Sequence, residues 1–443
     1  MNVDLRQIRT AAETAIAENF AAAKAKLPGG RDVALRREEA FRRFEQQGLP
    51  HRRIEEWKYT DLRALMREGR PLAEPPSAAA KKRAKSAGAV LAGIDVRRLV
   101  FVDGAFVPEL SDLSAEPGLA IGSLAEALGR GAPEVIARLS AGGPADGDVA
   151  FALNTAFMGD GAVIEVDKGV HVARPIHLAF FYGSERAATV FARSLVVVKD
   201  GASLTLIESH EGPDSVDYHA NSALDLIVGD DAVAHHVKIG EEGSRALHVA
   251  TLTATVGKNA RLHDFTFIRG GAVVRNQLFV LCTGAGATLG LNGVNLLRGK
   301  QHADNTLVVD HAVGGCVSRE VFKSVLDDES RAVFQGKIIV RRDAQKTDAR
   351  MMTRALLLSE DAESDNKPEL EIFADDVQCG HGATSGAIDE DLKFYLMARG
   401  IPEKQAEALL IESFVGEAIE GIAHDGVKEA LMDAARKWLA VRV

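Results

Sequence analysis

The sequence predicts a mainly β protein: a parallel β-helix, or a related β-solenoid, with helical regions at both ends. Three observations carry this. From about residue 150 the chain becomes a series of short apolar strands separated by Gly, Asp and Asn. Within that series an alanine follows a turn residue and is itself followed by apolar residues two and four places on. Gly161-Ala162 leads to Ile164 and Val166, Gly201-Ala202 to Leu204 and Leu206, and Gly286-Ala287 to Leu289 and Leu291. Asn259-Ala260 with Leu262 and Ala332 with Phe334 are partial copies, and Asp231-Ala232 is weaker. Third, Ala202, Ala232, Ala260 and Ala287 are spaced 30, 28 and 27 residues apart, a period at which stacked coils bury apolar faces that none could bury alone. The longer steps from Ala162 (40) and to Ala332 (45) predict inserted loops or extra half-coils.

The expected division is a mostly helical region with a linker and a small hairpin over 1–150, the β-helix over 151–386, and a helical region over 387–443. Ala, Glu, Arg and Lys dominate Arg6–Lys26, a helix ended by Gly29-Gly30, and a second helix covers Asp32–Gln47. Trp57 and Tyr59 follow and are expected to anchor this arm, because large aromatic side chains mostly serve packing. Residues 71–92, with Pro71, Pro75, Pro76 and several alanines, read as a linker, and Lys81-Lys82-Arg83 as its solvated charge rather than a nucleic-acid patch. Arg98–Leu110 alternates around Asp103-Gly104, a hairpin signal. Beyond Gly386, Asp389 caps a helix ended by Gly400, and Pro402 starts the next. Ala406, Leu410, Phe414 and Ala418 recur every four residues on that helix. A last helix spans Val427 to Val441 and carries Trp438. This amphipathic tail could pack on its own solenoid or bind another protein.

Composition narrows the function. An apolar fraction of 46% and a charged fraction of 26% over 443 residues are ordinary for a soluble globular chain. A formal charge of −10 argues against nucleic acid as the main partner. No run approaches a membrane span, and no cationic, apolar and small-residue leader opens the sequence, so a cytoplasmic setting is expected. Three cysteines, Cys282, Cys316 and Cys379, outline no disulfide framework. There is no Gly-x-x-x-x-Gly-Lys-Ser/Thr loop, and Gly284–Gly290 misses the dinucleotide fingerprint by one residue. No Gly-x-Ser-x-Gly elbow and no Cys-x-x-Cys pair occurs.

Chemistry is expected in Lys367–Thr384. Side chains alternate faces along a strand, so Asp375, Cys379 and His381 share one face if the segment runs straight. A thiol, an imidazole and a carboxylate suit a soft or borderline metal. From spacing alone, a buried cysteine acting as a small hydrophobe is the commoner alternative. Two protein ligands also leave a site half-built, to be completed by a second chain or a distant residue. His235 and His263 each lie three residues after the opening alanine of their coil and should stack, outward-facing or covered, as a solvated or hydrogen-bonded pair rather than a ligand pair.

Motifs in order along nearly the whole chain resemble the SufB/SufD family of iron–sulfur cluster assembly proteins, and its SufD branch in particular. They are Arg52-Arg-Ile-Glu-Glu-Trp-Lys-Tyr-Thr-Asp-Leu62, Ala152-Leu-Asn-Thr-Ala156, Phe334-Gln-Gly-Lys-Ile338, Ala344-Gln-Lys-Thr-Asp348, Leu356-Leu-Leu-Ser359, Lys367-Pro-Glu-Leu-Glu-Ile372 and Ala374-Asp-Asp-Val-Gln-Cys-Gly-His-Gly-Ala-Thr384, then Asp389–Gly400. SufB-like members carry a cysteine just before Leu356 and a glutamate after the final histidine, where this chain has Thr353-Arg354-Ala355 and Gly382. Gln378 and Gly380 depart mildly from the basic or polar residue and the serine usual beside the cysteine. The resemblance implies a right-handed parallel β-helix and a non-catalytic scaffold subunit. It implies pairing with a SufB-like paralogue, or with a second copy of itself, and a SufC-type ABC ATPase docked on the C-terminal helices and hydrolysing ATP. It further implies that Cys379 and His381 face a subunit interface where an iron–sulfur cluster forms transiently, and it leaves open whether a flavin takes part. Two rival functions are a β-helix enzyme acting on polysaccharide, disfavoured by only 5% aromatic residues, and a structural homodimer without metal chemistry.

Overall fold

The computed structural model describes residues 9–139 and 144–441. Two sheets run its length, one of ten strands and one of nine, and alternate strands of the chain join alternate sheets. Each coil of the solenoid is thus two strands, paired in parallel register with the coils on either side, as in Val233–Glu241 against Arg261–Ile268. Among the described residues no helix is long and apolar enough to cross a membrane.

The coil repeat has a simple backbone cause. Gly201, Asp231, Asn259, Gly286 and Gly315 all have φ between 52° and 76°, and each precedes a buried small residue: Ala202, Ala232, Ala260, Ala287 and Cys316. That left-handed conformation favours Gly, Asn and Asp, which explains why turn residue plus small residue marks a corner. Lys346 (φ 65°) before Thr347 continues the series without either signal. The corner after Ala287 is therefore Cys316, not Ala332. Ala332 pairs with Ala303 in the other sheet, and Ala162 also opens a strand of that sheet. The 40- and 45-residue steps are extra half-coils.

Branched apolar residues fill the lumen, among them Ile164, Leu206, Leu226, Val256, Leu291 and Val309. A polar ladder runs beside them. Lys238 donates to Asn276 (2.6 Å), Asn276 to Asn305 (3.2 Å), Asn305 to Asn295 (3.2 Å) and Asn295 to Ser324 (2.9 Å). Burial by itself would lower the His236 pKa, but Asp264 at 2.6 Å and Glu208 at 3.2 Å outweigh it and raise the imidazole to about 9.

Helices cover both outer faces. The N-terminal arm begins with Ala11–Ala23, whose Thr10 and Glu13 form a reciprocal capping box, followed by Arg31–Gln47; the part of the expected first helix before residue 9 lies outside the described residues. Phe20, Phe41 and Phe44 of these helices share a cluster with Trp57, Phe157, Leu247 and Val249 on the nine-stranded sheet. Trp57 anchors the arm as expected. Its ring lies 3.8 Å beneath the Arg275 guanidinium, its Nε1 donates to Asp148 (3.2 Å), and Arg275 donates to Glu56 O (2.8 Å). Tyr59 is only half-buried, beside the Lys58 ammonium, and anchors nothing comparable.

Residues 71–92 are not a solvated linker. Ala78–Arg83 is helical, and Ala80, Ala84 and Ala87 pack on Val100, Val102 and Ala179. The alanines that read as low complexity are small enough to bring this backbone close to the sheet. Gly88 shows how close: it has φ 78°, and a Cβ there would collide with the His177 ring. Lys81 and Arg83 are paired with Glu109 and Glu185. The hairpin is present, with Arg97–Val102 and Ala105–Phe106 joined by Asp103 (φ 50°) and Gly104 (φ 82°), and its first strand adds in parallel to Ile176–Phe181 of the solenoid.

On the opposite side, Glu403–Ile419 and Asp425–Ala440 lay Ile411, Val415, Ala418, Ile419, Val427, Leu431 and Trp438 against Ile207, Val237, Phe265, Phe267, Val294 and Leu296 of the ten-stranded sheet. The tail packs on its own solenoid. Its buried stripe includes Ile411, Val415 and Ile419, which the four-residue series through Leu410 and Phe414 misses, because a helical face drifts with a period of 3.6.

Candidate functional site

The chain's last strand, Gln378–Gly386, pairs only with Asp348–Leu357, with Ala349 opposite Cys379 and Met351 opposite His381. The last strand of the other sheet, Glu363–Ile372, pairs only with Arg331–Val340. Among the described residues no strand pairs with the other edge of either, and their residues are half-buried or exposed. This coil is the open end of the solenoid, a row of backbone donors and acceptors of the kind that pairs with another chain.

Cys379 and His381 do lie on one face, and it is the lumen face. Cys379 stacks over Ala349 and Ser318, and packs on the central core. His381 stacks over Met351 and Glu320 and is exposed because no further coil covers it. Asp375 does not join them. It lies in the bend between Ile372 and Gln378, exposed, where the strand parity that grouped it with Cys379 is broken. Burial raises the Cys379 thiol pKa, so in the isolated chain the sulfur holds its proton until a cation or another positive group displaces it. Arg319, Lys323, Arg350 and Arg354 border an open cleft along Gln378–Gly382. Lys323 also donates to Phe414 O (2.7 Å) and meets Glu417, which ties the C-terminal helix to this edge.

Sequence reasoning missed Glu320. It is fully buried two rungs beneath His381, neither carboxylate oxygen meets a hydrogen-bond partner, and burial raises it to about 7. A glutamate four residues after a corner, at an inward position opposite Leu291, was the available signal, and it was hidden because the corner carries Cys316 in place of an alanine. His235 and His263 stack as expected, with ring centroids 5.0 Å apart and planes 14° from parallel, half-buried, their pKa values lowered by burial.

Fold and edge together define a β-solenoid whose last coil, uncovered among the described residues, presents a thiol and an imidazole on its lumen face. Comparison with known proteins gives the same class a lineage. Residues 180–414 match the SufBD core domain of SUF system FeS cluster assembly, and residues 20–178 match the SufBD protein N-terminal region. The chain is 31% identical to iron-sulfur cluster assembly protein SufD of Escherichia coli over 87% of its length and 88% of that protein. It is 32% identical to an iron-sulfur cluster assembly SufBD family protein of Synechocystis over 84% of each chain. It is 27% identical to SufD of Bacillus subtilis over 65% of its length and 66% of that protein. The chain belongs to the SufBD family, whose members are subunits of SUF iron–sulfur cluster assembly.

Proposed function

We propose that this chain is a SufD-type, non-catalytic scaffold subunit. In this reading its open coil meets a second SufBD-type chain, and Cys379 and His381 supply part of the ligand set for an iron–sulfur cluster that is cargo at that interface. The observation that carries it is the coil end itself: a thiol and an imidazole on the lumen face of the last strand, with no further coil among the described residues stacked on them. Two ligands are too few to hold a cluster, so the remainder must come from the partner. The basic border of the cleft suits an anionic thiolate-ligated cargo, and a cation there would help Cys379 lose its proton.

ATP hydrolysis is assigned to a SufC-type ABC ATPase docking on the C-terminal helices, in a cytoplasmic setting. The two long helices spend their apolar faces on the solenoid, so docking falls to Glu390–Met397. That helix buries none of its residues and exposes Leu392, Phe394 and Tyr395.

Anaerobic mixing with SufB- and SufC-type partners, iron and sulfide tests the site. His381→Ala and Cys379→Ser should lower the cluster yield while leaving the melting temperature unchanged; a yield equal to the parent's would remove these residues from the site. Phe394→Glu with Tyr395→Glu should abolish co-purification with the ATPase, and retained binding would overturn the docking assignment. Native mass spectrometry of the mixture separates a heterodimer with the SufB-like chain from a homodimer.

A further inference from the structure

Three residues inside the solenoid break its repeat at one place. Stacked along the nine-stranded sheet, the last inward position of successive coils is Val198, Val228, Val256, Cys282, His311, Val340 and Ile372. The facing corner holds Ala202, Ala232, Ala260, Ala287 and then Cys316. Apolar residues occupy the other positions named, and the exceptions coincide in space. One nitrogen of His311 and the sulfurs of Cys282 and Cys316 all lie within 4.8 Å of one another, and all three residues are 0% exposed.

Packing does not account for the histidine. Its Nε2 lies 3.2 Å from Ser318 Oγ, while Nδ1 meets no partner, and a buried polar atom left unsatisfied is destabilising. With Nε2–H donated to Ser318, Nδ1 keeps its lone pair, and Ser318 is then the outer partner that fixes a ligating imidazole. Besides Cys282 and His311, Cys316 Sγ meets the carbonyl oxygens of Val313 (3.4 Å), Gly284 (3.6 Å) and Gly314 (3.9 Å), all at the long, weak end for a thiol donor. Val256 stacks on Cys282 and Val340 on His311, and both cysteines belong to the apolar core of the solenoid.

We propose that Cys282, His311 and Cys316 form a second, internal metal site that takes a thiolate-preferring divalent ion such as zinc or iron(II). Two thiolates and a neutral imidazole are a three-ligand set of borderline-soft character, with a fourth position left for water or another donor. On binding, each thiol gives up one proton to solvent, so the bound site carries one neutral imidazole, two thiolates and the dication and has no net charge. That neutrality is what allows it in an apolar interior. The site does not depend on Cys379 and His381, which lie on the last coil.

The test uses the full chain carrying Cys379→Ser and His381→Ala, so that the coil end offers no competing ligands. Titrated anaerobically with Co2+, it should bind one equivalent with thiolate-to-cobalt charge-transfer absorption, and Zn2+ should displace the cobalt. Adding Cys282→Ala or Cys316→Ala should weaken the band and loosen binding by more than the roughly 10–100-fold typical of losing an outer-shell partner, and adding both should remove the band. Absence of the band in a chain that melts like the parent would overturn the site, as would a band that survives loss of Cys282 and Cys316. Should those variants fail to fold, zinc X-ray absorption on the otherwise intact chain decides: two sulfurs at ~2.3 Å and a nitrogen at ~2.0 Å are expected, and a shell of nitrogen and oxygen alone would refute it.

Discussion

Glu320→Gln should stabilise the chain at pH 8 and do far less at pH 5. The carboxyl is 0% exposed, has no hydrogen-bond partner and is raised by burial from an ordinary 4.5 to about 7. The folded chain therefore holds this proton to higher pH than the unfolded chain does. Its contribution to stability is fully present below pH 4.5 and is lost as pH rises through 7. Between pH 5 and pH 8 the loss works out to about 2–3 kcal/mol, at 1.36 kcal/mol for each unit of pH over which only the unfolded chain is ionised. Glutamine keeps the shape and cannot ionise. The assay is the urea midpoint of parent and variant at both pH values, taken as a difference of differences. Other titrating groups, His236 among them, are common to both chains and cancel if they do not couple to residue 320. A variant-to-parent difference that does not move between pH 5 and pH 8 would refute the buried, unpartnered assignment of Glu320.

Two further predictions concern stability. Trp57→Ala should cost about 3–5 kcal/mol and also uncover the Arg275 guanidinium; a melting curve with limited proteolysis should show release of residues before about 70 while the solenoid persists. Asp225→Ala removes the carboxylate at 2.7 Å from the 1% exposed side chain of Arg193 and should cost about 3–5 kcal/mol, because the buried guanidinium loses its anion; a stability loss, read from urea curves, of less than a third of that would mean that the neutral partners Asn154 and Thr155 suffice for the arginine.

Much of this protein is written locally. A corner needs a left-handed residue followed by a small one, and an inward strand position needs an apolar side chain, so Gly201-Ala202, Asn259-Ala260 and Gly286-Ala287 with their following leucines give the period and the fold class directly. The capped helices at both ends and the Asp103-Gly104 hairpin are equally local, as is the pairing of Cys379 with His381 on one face. What the sequence left open depends on which segments meet. Ala78–Arg83 looks like a linker until its alanines are seen against the sheet, because a small apolar residue carries no sign of what it packs on. The tail could have covered the solenoid or a partner, since an amphipathic stripe does not name its mate; Phe265, Phe267 and Val294 on the outer face decided it. Asp375 left the candidate site because a bend intervened. Cys282, His311 and Cys316 are 29 and five residues apart in the chain, a spacing that means nothing until one coil is laid on the next. Stacking makes neighbours of residues a whole coil apart, and that distance is set by the tertiary structure alone.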